Sequence, residues 1–352
     1  MSDPFTCEPP ARFGSPVDVA VCFGNSSVRL LVQGVGGGGS STLLDLPHPS
    51  PSSWAAEWLP PAQGGPPPEK PTPLSLRSHL CSLLDAQRLT VRALVVVVSG
   101  RVLHAEGRVE ESFMLGRNFA GCALMADFRT ALPRARPSGL ALINDTACSA
   151  VQAYLELAQE ATAAAAPPQL FPALVVDAGT GCSFAYLTLC SSSRVRVVLL
   201  EPWVGSDIEV HSAFPPPPGA RGTPMPLWQA VCDSKLRELG AEAWNVRMQC
   251  ALAAVLRRLA APAAEGGGGV QAQLRTVFFT GGNCTRVSRT AAEAAAPGLL
   301  VRGLPLAGQP ELTRDEVRKR YLHAALAVAS IGHLLDVHNI GQALEPGGVL
   351  LL

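Results

Sequence analysis

The sequence predicts an α/β protein, and three observations predict it. Apolar, β-branched runs of strand length alternate along the chain with longer segments of helical spacing. Three of those runs stop abruptly at turns of small residues, Gly24-Asn25-Ser26-Ser27, Gly179-Thr180-Gly181 and Gly281-Gly282-Asn283. The third observation is size: at roughly 100–200 residues per domain, a chain of 352 residues has room for two domains or two lobes.

The elements follow in order. Val17–Cys22 is a strand that breaks at Phe23–Ser27 and resumes at Val28–Val32. Leu74–Gln87 has helical spacing, and Arg92–Val98 (RALVVVV) is a buried strand ending at Ser99-Gly100. Ala120–Leu132 reads as helix, Gly139–Ile143 as a strand running into Asn144-Asp145-Thr146, and Ala147–Ala163 as a long helix. Leu174–Val176 is a strand, Phe184–Leu189 its hairpin partner and Val195–Leu200 a third member. Trp244–Leu259 is an amphipathic helix, and Thr276–Phe279 a strand. Thr313–Leu335 is the last helix, opened by Thr313 and Glu316, a T-x-x-E capping box. Four tracts, Gly34–Ser41, Gln63–Pro73, Pro215–Gly222 and Ala264–Gly269, are rich in Gly or Pro and read as surface loops or insertions.

Composition narrows the function. With 28 basic and 28 acidic side chains the chain offers no positive surface for nucleic acid and no polybasic membrane contact. No apolar run reaches the ~18–20 residues that span a bilayer, and Met1-Ser2-Asp3-Pro4 opens no signal peptide. The ten cysteines contain no C-x-x-C pair, so reduced thiols in the cytoplasm are expected. The seven histidines are scattered; His333 and His338 fall at the end of the last predicted helix and complement its dipole. Cys182 reads as a small packing residue.

Turns of small residues at strand ends let phosphate oxygens approach backbone N–H groups. A plain β-turn explains any one of them, but three in this order, each after a buried strand, suggest a phosphate-binding design. None fits the P-loop or the dinucleotide fingerprint. Asp145, at a strand end before a helix, is placed to accept a hydroxyl proton as its oxygen attacks phosphorus. The competing reading is that Asp145 or Thr146 only caps the helix from Ala147.

These segments together resemble the sugar kinases of the actin-like ATPase superfamily, most closely the hexokinase and glucokinase branch. Ala141–Thr146 (ALINDT) looks like that branch's LVNDT segment, whose Asp is the catalytic base. Leu174–Tyr186 (LVVDAGTGCSFAY) resembles its second phosphate segment, LxLGTGTNACY. Glu201–Asp207 (EPWVGSD) is similar to EWGxFGD, whose Glu binds sugar hydroxyls. Val277–Asn283 (VFFTGGN) resembles the adenosine segment. Leu115–Phe119 (LGRNF) occupies the place of the W-T-K-G-F sugar loop with Arg117 at the Lys position, and Ser99-Gly100 that of S-F-P.

The resemblance spans about residues 15–340 and implies a two-lobed, ribonuclease H-like fold with a central cleft. Residues 1–14 would be a disordered N-terminus, 15–140 an N-terminal lobe and 141–352 a C-terminal lobe, with the last helix packing back on the first. The lobes, joined near 135–145, would close over ATP and a small-molecule acceptor, a monosaccharide above all. Asp145 would be the base, and Ser99, Arg117, Asn144 and Glu201 would orient the acceptor. Gly24, Asn25, Ser26, Ser27, Gly179, Thr180 and Gly181 would hold phosphates, Gly281, Gly282 and Asn283 the adenosine side, and Asp177 a Mg²⁺ ion through water.

The sequence departs from the pattern at its first phosphate segment. D-x-G-x-[TS] becomes Cys22-Phe23-Gly24-Asn25-Ser26, without the carboxylate. Asp18 sits about 13 Å back along the strand at ~3.3 Å per residue, too far to substitute. Ser183 replaces the Asn of GTGTN, and Gly116 the Thr of the sugar loop. A weakened or inactive nucleotide- or sugar-binding member of the same fold is therefore the rival expectation. Another small-molecule kinase, acting on pantothenate or an N-acetylhexosamine, is a third.

Overall fold

The computed structural model describes residues 16–23, 27–34, 41–47, 73–86, 89–111, 120–131, 139–163, 169–179, 181–191, 194–200, 231–260, 274–305 and 312–339. The N-terminus expected to be disordered lies outside them, as do most of the Gly- and Pro-rich tracts. The chain divides into two compact units. Met1–Cys148 with Leu322–Gly332 makes the first, and Ser149–Tyr321 with His333–Leu352 the second.

The first unit is built on β1 (Val17–Phe23), β2 (Ser27–Gly34), β3 (Ser41–Pro47), β4 (Val91–Val98) and β7 (Gly139–Asn144). Helices α1 (Pro73–Ala86) and α2 (Leu124–Ala131) and the hairpin β5 (Arg101–Leu103) and β6 (Arg108–Glu111) lie between these strands in sequence. The sheet order is β3-β2-β1-β4-β7. Strands β1, β2 and β3 pair antiparallel, while β1, β4 and β7 pair in parallel. β4 is central, and seven of its eight residues are buried, which is why RALVVVV runs apolar without alternation. Val19, Val21, Leu30, Leu94, Val96 and Val98 form a core with Leu80 and Leu84 of α1 and Leu124 and Phe128 of α2.

The second unit repeats this topology. Its elements are α3 (Asp145–Ala163), β8 (Ala173–Ala178), β9 (Cys182–Ser191), β10 (Arg194–Leu199), α4 (Asp233–Ala260), β11 (Thr276–Thr280), α5 (Arg289–Ala295), β12 (Leu300–Arg302), α6 (Arg314–Ile331) and β13 (Leu335–Asn339). The unit division falls inside α3 and inside α6. The sheet order is β12-β11-β8-β9-β10-β13. Read from β10, it gives β10-β9-β8-β11-β12, with the same antiparallel and parallel senses as β3-β2-β1-β4-β7. β13 is an addition, parallel to β10. Trp244, Met248, Leu252 and Val255 of α4 cover Leu174, Val176, Phe184, Tyr186, Val277 and Phe279 of this sheet.

The duplication identifies equivalent positions. The last β1–β2 pair before the turn is Phe23 with Val28, and the last β8–β9 pair is Ala178 with Cys182. One residue earlier on each strand stand Cys22 and Asp177. Where the second unit carries a carboxylate, the first carries a thiol.

Several predicted boundaries are corrected. The last helix ends at Ile331, and a 3₁₀ turn (Gly332–Leu334) leads into β13. His333 thus lies in the turn and His338 on a strand, where its Nε2 is 2.6 Å from Asp336 Oδ1. Leu335–Asn339 (LDVHN) pairs in parallel with β10, a pairing that no local pattern announces. The helix read from Ala120 begins at Leu124, because Gly121 takes a left-handed φ of 72° and Cys122 bridges to Val109. The helix read from Trp244 is the later part of α4, which is interrupted at Gly240 (φ 78°, ψ 167°). The predicted capping box is present: Glu316 accepts from the Thr313 amide at 2.7 Å, and Thr313 Oγ1 from the Glu316 amide at 3.2 Å. No helix among the described residues is long and apolar enough to cross a membrane.

Candidate active site

In the first unit, parallel pairing of β4 with β7 sets Val98 beside Asn144. The next residue of each strand is then Ser99 and Asp145, so the register itself makes them neighbours. The Ser99 hydroxyl donates to Asp145 Oδ2. Asp145 Oδ1 accepts from the Thr146 amide at 2.9 Å and from Asn144 Nδ2 at 3.0 Å.

The helix begins at Asp145 rather than Ala147, and neither Asp145 nor Thr146 is its cap. Asn144 caps it, with Oδ1 accepting from the Ala147 amide at 2.9 Å. Asn144 Nδ2 also donates to the Gly100 carbonyl at 2.6 Å, so both ends of this buried amide are engaged within the protein. With Asn144 as the cap, the carboxylate of Asp145 is held at the strand end by donors that include the Ser99 hydroxyl, the Thr146 amide and Asn144 Nδ2. Burial pushes the Asp145 carboxyl above the usual aspartate value, and the hydrogen bonds from Ser99, Thr146 and Asn144 oppose that rise. A carboxylate that is oriented, partly desolvated and more basic than usual is suited to accepting a proton.

Sequence reasoning passed over His104. It lies in the turn between β5 and β6, and its Nε2 accepts from the Asn144 amide at 3.3 Å. Nothing in the local sequence marks it, since only the tertiary structure brings the hairpin to the end of β7.

In the second unit, the predicted residues that are described lie at the ends of β8 and β11. Gly179 N donates to Gly181 O at 2.9 Å, closing the turn after β8. The turn after β11 is fastened to it: Asn283 N donates to Ala178 O at 2.7 Å, and Asn283 Nδ2 to Gly179 O at 2.7 Å. Asp177, Gly179, Gly181, Gly281, Gly282 and Asn283 therefore form one cluster. Ser149 Oγ donates to Asp177 Oδ2 at 2.7 Å, leaving Oδ1 beside Gly281. Gly281 has φ 91°, and a Cβ there would lie 2.2 Å from Asp177 Oδ1 and 2.6 Å from the Ala178 carbonyl oxygen. Only glycine fits.

Asp177 is a single carboxylate among small residues, and no group of three or more His, Cys, Asp or Glu able to hold a metal occurs among the described residues. Such a donor set suits Mg²⁺, which keeps most of its waters and takes one or two protein carboxylates beside substrate phosphates. The thiols nearby are structural. Cys182 is buried in the core, and burial, then the charges of Asp177 and Glu156, push the Cys284 thiol up to about 12. Asp18 is paired with Arg92, whose Nε donates at 2.8 Å.

Ser27 opens β2. Gly24, Asn25, Ser26, Arg117, Thr180 and Glu201 lie outside the described residues.

No family model and no curated protein matches the sequence. Solved structures do match. An inorganic polyphosphate/ATP-glucomannokinase from Arthrobacter sp. strain KM is 13% identical, covering 91% of this chain and 100% of its own, at a TM-score of 0.53. A glucokinase from Balamuthia mandrillaris in complex with glucose is 15% identical over 90% of this chain and 94% of its own, at 0.53. A ROK family glucokinase from Streptomyces griseus in complex with glucose and AMPPNP is 12% identical over 89% and 99%, at 0.52. The chain shares the overall fold of these three solved structures.

Proposed function

We propose that this chain is an ATP-dependent phosphotransferase acting on a sugar-like hydroxyl. The observation that carries the reading is the state of Asp145: held at a strand end by Ser99, Asn144 and Thr146, and more basic than an ordinary aspartate. In this reading Asp145 accepts the acceptor's hydroxyl proton as the oxygen attacks the γ-phosphorus of ATP, and ADP leaves. Ser99, Arg117 and Glu201 orient the acceptor, and Asn144 acts through Asp145. Gly24–Ser27 and Gly179–Gly181 hold phosphates, and Gly281–Asn283 the adenosine side. Asp177 would hold Mg²⁺ through water, and the bound ion neutralises charge on the transferring phosphoryl group.

Three similar structures support the acceptor class by what they are: two glucokinases, each bound to glucose, and a glucomannokinase. Nine cysteines among the described residues stand outside any disulfide, which suits a reducing, ATP-rich compartment, the cytoplasm. The reading is tested by MgATP-dependent transfer to a panel of monosaccharides, with Asp145→Ala as control. Transfer undiminished in that variant removes the assignment.

Cys22 favours a second reading, a nucleotide- or sugar-binding module that has lost turnover, because it stands at the position equivalent to Asp177. Losing one charged group at a phosphoryl-transfer site costs on the order of 10²–10³ in rate. Calorimetric titration with MgATP followed by a coupled turnover assay separates the two, since binding without turnover belongs to the module.

A further inference from the structure

We infer that His104 is a positioning residue for the Asp145 carboxylate, acting through Asn144. The inference rests on the reading of Asp145 as the base. The Asn144 backbone N–H is buried at the end of β7, and the His104 Nε2 atom, 3.3 Å away, accepts its hydrogen bond. An accepting Nε2 requires the neutral ring with its proton on Nδ1.

The ring is presented by a fixed turn. Gly107 N donates to the His104 carbonyl at 3.3 Å, and Met125 N donates to the Gly107 carbonyl at 3.1 Å. Gly107 has φ 61°, and a Cβ there would lie 2.6 Å from Met125 Cγ, so the turn is seated directly on α2. Asn144 spends its side chain on the Ala147 amide, the Gly100 carbonyl and Asp145 Oδ1. His104 therefore fixes the main chain of the residue whose side chain fixes the base. Removing the acceptor leaves a buried N–H unpaired, a state proteins avoid by shifting the backbone. Such a shift passes directly to Asp145, and misplacement of a reacting group by about 1 Å costs on the order of 10²-fold in rate.

The test uses the full chain with His104→Leu, which removes the acceptor, and His104→Gln, whose carbonyl restores one at similar reach. Three quantities are measured: exchange of the Asn144 amide, the ¹³C titration of the Asp145 carboxyl, and kcat and KM for MgATP-dependent phosphorylation of D-glucose. In His104→Leu, Asn144 exchange should rise at least ~10-fold and the Asp145 midpoint should move further up as the Asn144 bond loosens. kcat should fall ~10-fold, with KM within about twofold. His104→Gln should restore all of these. Should His104→Leu not fold, His104→Asn, too short to reach, takes its place. Unchanged Asn144 exchange and Asp145 titration in the variant without an acceptor overturn the inference. If the wild-type chain phosphorylates no sugar while both spectroscopic readouts respond as described, the kinase reading falls and the hold of His104 on Asp145 stands.

Discussion

Replacing Asn144 by alanine removes three interactions at once, and their sum can be worked out. The lost helix cap to the Ala147 amide costs about 1 kcal/mol. The Gly100 carbonyl, deprived of its donor at 2.6 Å, costs about another. The bond to Asp145 Oδ1 at 3.0 Å is charge-assisted and contributes roughly 1.5 kcal/mol, although Ser99 and Thr146 keep their own. About 3.5 kcal/mol is expected in all, lowering the melting transition of a unit of this size by ~7–14 °C. Asn144→Ser keeps a capping oxygen and should recover about 1 kcal/mol of the loss. Native-state hydrogen exchange at Val95 and Val96, in the fully buried centre of β4, reports the stability of the first unit separately from the second. Scanning calorimetry supplies the transition temperature. A loss below ~1 kcal/mol in Asn144→Ala, or no difference between the alanine and serine variants, would refute Asn144 as cap and brace.

Three further outcomes are expected. Burial raises the Asp145 carboxyl, so the stability it contributes is complete below the ordinary aspartate range and is lost as pH rises through its folded value. Asp145→Asn should therefore match wild type in acid and become the more stable protein toward neutral pH while losing transfer; equal stability at every pH argues against the raised value. Gly281→Ala, whose Cβ would meet Asp177 Oδ1 at 2.2 Å, should lower the melting temperature and weaken MgATP binding at least ~10-fold by calorimetry. Gly282→Ala, with nothing within 4 Å of its Cβ, should melt near wild type, and the reasoning fails if the two melt alike. Cys22→Asp restores the carboxylate that the duplicated topology lacks and should raise Mg²⁺-dependent turnover by tenfold or more. An unchanged rate detaches the first turn from nucleotide chemistry.

Much of this architecture was legible along the chain, because strands and glycine turns leave local marks. The apolar run of β4 announced a strand buried on both faces. The sequence Thr313–Glu316 announced a helix start, and Gly281-Gly282-Asn283 the turn that ends a strand. Even Asp145 could be chosen by its place between a strand and a helix. The seating of Gly281 against Asp177, however, depends on two parallel strands 100 residues apart in sequence.

Sequence by itself determined the alternation of elements, the positions of the strand-end turns and the absence of a carboxylate at Cys22. All of these are properties of consecutive residues. Only the tertiary structure decided which of Asn144, Asp145 and Thr146 caps α3, because capping depends on where the backbone turns and on the donors that compete for each oxygen. It alone set Ser99 against Asp145 through the β4–β7 register, brought His104 to the Asn144 amide, and placed β13 beside β10. Each of those depends on pairing or packing between segments that share no local pattern, and hydrogen bonds of that kind exist only once the chain has folded.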